Sequence, residues 1–202
     1  MTKGLFKGIG AFGVIAALGA TSAHAQAAGN EGGNRITVGA FGGIAIPLSD
    51  YNNVVKTGWD LGAAFQFKPA KSPVGFQIDG AYLQNKFDES VTLTSGKAEW
   101  WFGTGDIVFW FPVAAETRVR PYILGGGGVY NYKIKPSGTS SSTSETKFGI
   151  NVGAGFDFDV GQNAGVFIEG RFHNVFFSSS DPITSVNLKF IPINVGLRYH
   201  FR

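Results

Sequence analysis

The sequence predicts an all-β chain that closes into a transmembrane, eight-stranded antiparallel up-and-down β-barrel. Three observations predict it. Apolar–polar alternation with a period of two recurs along the chain. Beyond residue 25 no uncharged apolar stretch approaches the roughly 20 residues that a membrane helix needs. The connections between the alternating segments are long and short by turns, as they are in barrels that cross outer membranes.

The first residues read as an address. Lys3 and Lys7 precede an uncharged, mostly apolar run over 8–19, and Ala23-His24-Ala25 has the small-x-small pattern of a signal-peptidase site. We therefore expect a signal peptide over 1–25, a short polar periplasmic tether over 26–34 and the barrel over 35–202. The apolar run is too short and too rich in glycine for a membrane anchor. Its removal takes the formal charge from +3 to +1, which leaves no basic footprint for nucleic acid. The chain has no cysteine, so a disulfide scaffold and thiolate metal sites are excluded.

The strands follow in order. Segment 35–46 sets Ile36, Val38, Ala40 and Ile44 on one face. In 59–68, Trp59, Leu61, Ala63, Phe65 and Phe67 oppose Asp60, Gly62, Ala64, Gln66 and Lys68. In 74–83, Val74, Phe76, Ile78 and Tyr82 oppose Gln77, Asp79, Ala81 and Leu83. Segments 98–111 and 121–134 are aromatic and glycine-rich, and a bulge in either would shift its facing, so both registers stay open. In 148–160, Phe148, Ile150, Val152, Phe156 and Phe158 oppose Asn151, Asp157, Asp159 and three glycines. In 166–173, Val166, Ile168 and Phe172 oppose Phe167, Glu169, Arg171 and His173. The last segment, 191–201, sets Ile191, Ile193, Val195, Leu197, Tyr199 and Phe201 against Asn194, Gly196, Arg198 and His200.

A soluble sandwich also alternates, but its strands run to about five or six residues. These segments are longer, near the nine to eleven or so that a tilted membrane strand requires. Their glycine-rich polar faces suit a narrow lumen. Residues 47–58, 84–97, 135–147 and 175–187 form the longer, external loops; 69–73, 112–120 and 161–165 are the periplasmic turns. The stretch 136–147, mostly serine, threonine and glycine with almost nothing to pack, is expected to be mobile. Trp59, Tyr82, Trp100, Trp101 and Tyr130 near the loops, and Trp110, Tyr122, Tyr199 and Phe201 near the turns, are read as two aromatic girdles at the headgroup levels.

The chain ends Asn194-Val195-Gly196-Leu197-Arg198-Tyr199-His200-Phe201, similar to the terminal assembly signal of outer-membrane barrels, whose polar, glycine and aromatic positions fall on Asn194, Gly196, Tyr199 and Phe201. With the leader, the eight strands and Arg120-Pro121-Tyr122-Ile123 running into Gly125–Gly128, the chain resembles the OmpA/OmpX-like small-barrel family over 35–201. The resemblance implies an outer-membrane location, contact with outer-membrane lipid and lipopolysaccharide, and delivery by periplasmic chaperones and the barrel-assembly machinery. Arg202 departs from the family, which usually stops at the aromatic. No peptidoglycan-binding segment follows the barrel pattern, so cell-wall anchoring is not expected.

Chemistry is sparse. Gly125–Gly128 lacks phosphate-loop spacing and lies in a strand pattern. After the leader the only histidines are His173 and His200, with no partner at ligand spacing, so neither metal nor cofactor is expected. The family's lipid A deacylases carry a His-x-Ser pair. Here Asn174 and Val175 follow His173, and the next serine is Ser178, so no enzyme is expected. The inward polar residues carry more information. Asp79, Asp106, Glu169, Arg171 and Asn194 are expected near mid-height of the lumen, with Lys68, Asp157, Asp159 and Arg198 lower. Eight strands leave no open channel, so these groups form a plugging network. The expected protein is a monomer that acts through its surface loops or in membrane integrity. The alternatives are a narrow channel for small solutes and, third, a lipid A-modifying enzyme.

Overall fold

In a computed structural model the chain forms a closed antiparallel barrel in which every strand pairs with its sequence neighbours and β1 closes onto β8. The structure describes residues 33–92, 95–114, 117–137, 143–177 and 188–201; the expected leader, most of the tether and Arg202 lie outside the described residues. The strands are β1 (Arg35–Leu48), β2 (Gly58–Lys68), β3 (Val74–Lys86), β4 (Gly96–Trp110), β5 (Val119–Pro136), β6 (Thr143–Asp159), β7 (Ala164–Val175) and β8 (Leu188–Phe201). A 3-10 turn, Ser49–Asn53, follows β1, and one helical turn, Glu89–Thr92, precedes β4.

The period-two pattern works here in the sense opposite to that of a soluble sheet. The large apolar side chains point out: Leu61, Ile78, Ile107, Val129, Phe148, Val152 and Leu197 are all exposed, Leu197 at 67%. The polar partners on the other face are buried. A soluble monomer seldom exposes a contiguous apolar patch beyond a few hundred Å². An unbroken apolar wall around a closed sheet is instead what a bilayer solvates, because closure leaves no unpaired strand edge.

Several strands run further than the alternation indicated. β5 and β6 pair from Val119↔Phe158 up to Ile134↔Thr143. Residues 143–147, expected in a mobile loop, are therefore strand. Backbone pairing to β5 and the Asn131–Thr146 and Ser144–Asn131 side-chain bonds supply the order that apolar content does not.

The two open registers are resolved. In β4, Ala98, Trp100, Phe102, Thr104, Asp106, Val108 and Trp110 face in; in β5, Tyr122, Leu124, Tyr130 and Tyr132 do. This corrects the girdles. Trp100, Tyr130, Trp110 and Tyr122 are lumen residues, and only Trp59, Tyr82, Trp101, Tyr199 and Phe201 of the nine face lipid. Amphipathic rings satisfy a headgroup and a polar lumen equally well, so composition could not separate the two places.

The run Gly125–Gly128 acquires a steric reason. A Cβ on inward-facing Gly126 would collide with the carbonyl oxygen of Gly105 and the carboxylate of Asp106; one on Gly128 would meet the Gly103 carbonyl. Bare backbone lets β5 lie against β4 where the lumen is fullest.

Candidate functional site: a plugged lumen

The lumen is filled in three layers. At the turn end is a cavity of about 360 Å³, lined by Arg35, Lys68, Trp110, Arg120, Asp157 and His200 among others. Asp159 ties its rim together, accepting from Arg120 at 2.6 Å and from Arg35 at 3.4 Å.

The cavity is closed by the charged middle layer. Arg171, on β7, donates from Nε to Glu169 at 2.6 Å and from Nη1 to Asp79 on β3 at 2.8 Å and Asp106 on β4 at 3.1 Å. Thr104 donates to Asp79 at 3.1 Å or to Asp106 at 3.0 Å, bridging the two carboxylates. Gln77 donates to Asp79, and Asn151 to Asp106. Arg198 pairs with Asp157, donates to Tyr122 Oη at 3.1 Å and stacks its guanidinium 3.8 Å from the Phe167 ring centroid. Tyr122 in turn donates to Glu169 at 2.7 Å, joining the two arginine centres. Each guanidinium is thus held by carboxylates and hydrogen bonds, which a buried cation requires.

The third layer, toward the loops, is aromatic. Phe102, Tyr130, His173 and Phe190 pack against one another, His173 stacked on Phe190 at 4.8 Å and bonded to Tyr130 Oη at 2.8 Å. Above them Tyr51, from the 3-10 turn, drops into the mouth. It donates to Asn85 at 3.0 Å and accepts from the Trp100 indole at 2.9 Å.

Of the expected lumen residues, Asp79, Asp106, Glu169 and Arg171 meet in one cluster. Asn194 is buried beside Glu169 in register, but its Oδ1 has no hydrogen-bond partner. Asp157 and Arg198 lie toward the turn side, as does Asp159. Lys68 lines the turn-end cavity. Sequence reasoning missed Asp60, Thr104, Tyr122 and Tyr51 as lumen groups. Asp60 alternates with Gln66 and was legible. The facing of Thr104 and Tyr122 depended on the unresolved registers. Tyr51 is brought in by a loop, which no strand pattern reveals. Asp60 is almost fully buried across Gly43 from Asn194, and neither of its oxygens meets a donor in hydrogen-bonding geometry. Among the described residues, no group of three histidine or acidic side chains is placed to hold a metal ion.

At the C-terminus, Asn194 and Gly196 face in, and Tyr199 and Phe201 face out with their rings edge-to-face at 4.9 Å. Gly196 makes room for Phe167, against which a Cβ would collide.

A closed antiparallel barrel with an apolar exterior and a polar, filled interior defines an integral outer-membrane β-barrel protein. The family model of the outer membrane protein beta-barrel domain matches residues 13–201, and the chain belongs to that family. Solved structures share the fold. The Neisserial surface protein A is 15% identical, with 82% of this chain and 97% of that chain covered and a TM-score of 0.63. Ail, the attachment invasion locus protein of Yersinia pestis, in complex with the heparin analogue sucrose octasulfate, is 20% identical over 84% and 99%, with a TM-score of 0.57. The outer membrane protein OprG of Pseudomonas aeruginosa is 15% identical over 86% and 98%, with a TM-score of 0.55. No curated protein sequence matches the chain.

Proposed function

We propose that the protein is a non-conducting, monomeric barrel that works through its external loops or by reinforcing the outer membrane, reaching it by way of a signal peptide cleaved after Ala25. The observation that carries this reading is the Arg171 cluster, which links β3, β4 and β7 across the lumen. The aromatic layer of Phe102, Tyr130, His173 and Phe190 above it supports the same reading, because both layers occupy the lumen with packed or paired side chains. The test is planar-bilayer recording on the folded protein. No steady unit conductance is expected; a reproducible single-channel step would overturn the reading.

A narrow channel is the second reading, favoured by the turn-end cavity and by the excess of buried carboxylates over guanidinium groups in the middle layer. The same recording distinguishes it. A lipid A-modifying activity is third. His173 is engaged by Tyr130, Phe102 and Phe190, none of them a nucleophile–acid pair for hydrolysis, and Ser178 lies outside the described residues. Mass spectrometry of lipid A from a deletion strain tests it; an altered acylation pattern restored by the gene would establish it.

A further inference from the structure

The outer wall carries a second arrangement that the lumen does not explain. On β3, β4 and β5, Lys86, Lys97 and Lys135 are directly opposite one another in register, Lys86↔Lys97 and Lys97↔Lys135. Alternation puts all three on the lipid side. Lys97 and Lys135 share a face with Glu99 and Lys133, whereas Ala98, Trp100 and Tyr132 between them are buried in the lumen. Like charges directly opposite across strands repel, so such a row is unfavourable without a counterion.

The protein supplies too few. Glu99 accepts from Lys97 at 2.9 Å and from Lys135 at 2.7 Å, drawing both ammonium groups down the wall. Lys86, Lys97 and Lys135 line a groove together with Lys56, which is 3.6 Å from Asp88, whose carboxyl Ser90's donors hold below its ordinary pKa and so ionised. Lys86 is exposed and, like Lys133, makes no ion pair among the described residues. Glu89 and Gln84 complete the charged and polar rim.

The height of the row is informative. Two positions below Glu99 on β4 lies Trp101. It packs on Tyr82, and Tyr82 packs on Trp59, an outward aromatic strip with centroids 4.8 and 5.4 Å apart. Such rings sit at the boundary of the hydrocarbon. At roughly 3.3 Å per residue the ammonium groups therefore stand at the level of lipid phosphates, not at the loop tips.

We propose that this groove binds the phosphate groups of an outer-leaflet lipid of the lipid A class, whose acyl chains descend over Trp101, Tyr82 and Trp59. Phosphate supplies the negative charge the row lacks, and the aromatic strip supplies the apolar wall beneath it. Glu99 spaces the amines when lipid is absent and competes with the phosphate when it is present.

The test uses the full, folded protein in detergent with purified bisphosphorylated lipid A as probe, binding read by native mass spectrometry. Dephosphorylated lipid A and a soluble heparin fragment serve as comparisons. Preferential retention of the phosphorylated lipid is expected. Lys86→Gln, which breaks no ion pair, weakens it about fivefold; Glu99→Gln, which removes the competing carboxylate, strengthens it. Gel mobility of unboiled samples checks that each variant is folded. Equal retention of phosphorylated and dephosphorylated lipid overturns the proposal. So does unchanged retention in folded Lys86→Gln, or lysine-dependent binding of the heparin fragment without binding of lipid A. None of these results bears on conductance, so the plugged-lumen reading stands or falls separately.

Discussion

Arg171 on β7 hydrogen-bonds Asp79 on β3 at 2.8 Å, spanning the full width of the lumen between strands that are opposite one another in the closed sheet. The two residues are 92 apart in sequence. Their contact, with that of Arg171 to Asp106, braces the barrel at mid-height, above the turn-end cavity. The barrel walls hold themselves together by backbone pairing; the brace fixes their spacing.

Removing the brace leaves Asp79, Asp106 and Glu169 without their shared cation. Breaking a buried pair by deleting one partner costs about 3–5 kcal/mol. Arg171→Ala is expected to lower unfolding free energy by that order in urea titrations of the refolded barrel. A lipid-facing arginine near mid-bilayer would cost about 2–4 kcal/mol where it stands, so its loss would stabilise. A more stable variant would contradict the inward placement.

Asp60 predicts the opposite sign. Its carboxylate is buried and neither oxygen is hydrogen-bonded. Leaving a buried polar group unsatisfied costs about 1–3 kcal/mol. Asp60→Leu, which sets an apolar side chain opposite buried Leu83, is expected to raise stability by that order in the same titration. A loss of stability would mean that Asp60 has a partner supplied by solvent or an ion.

Gly126 tests the reason for the glycine run. Gly126→Ala forces a methyl group against the Gly105 carbonyl and the Asp106 carboxylate. Overpacking of this kind costs about 1–3 kcal/mol. Gly125→Ala, whose nearest neighbour is the Asn151 carbonyl oxygen at 3.5 Å, is the control and is expected to be nearly silent. Equal effects of the two would remove the close approach of β4 and β5 as the explanation.

Phe201 separates membrane energetics from recognition during assembly. A charged residue on the lipid face near the interface costs only about 0–1 kcal/mol. If the terminal aromatics act as the assembly signal, Phe201→Asp reduces the amount of barrel in the outer membrane severalfold and increases periplasmic degradation. Normal outer-membrane levels by fractionation and immunoblot would leave Phe201 as a strand end packed on Tyr199.

The all-β class, the number of strands and the outward direction of the apolar side chains were legible from local properties: a two-residue repeat, its length against the membrane, and the alternation of long and short connections. The family resemblance rested in addition on the leader, on Arg120-Pro121-Tyr122-Ile123 running into Gly125–Gly128, and on the terminal octapeptide Asn194–Phe201. In 59–68, 74–83, 148–160, 166–173 and 191–201 the pattern is clean because large apolar residues oppose small or charged ones. In 98–111 and 121–134 both faces carry aromatics or glycine, so the facing of Trp100, Asp106, Tyr122 and Tyr130 is set only when β4 and β5 take their register from their neighbours. Tertiary structure also decided which lumen groups meet. Arg171 finds Asp79, Asp106 and Glu169, and Arg198 finds Asp157 and Tyr122, while Asp60 and Asn194 remain apart from both. Tyr51 enters the mouth from a loop. The row of lysines on the wall is likewise a product of register, since Lys86, Lys97 and Lys135 become neighbours only across paired strands. Alternation assigns a residue to a face; only the shear of the closed sheet assigns it a height and a partner across the lumen, and those two quantities decide whether a buried charge is paired.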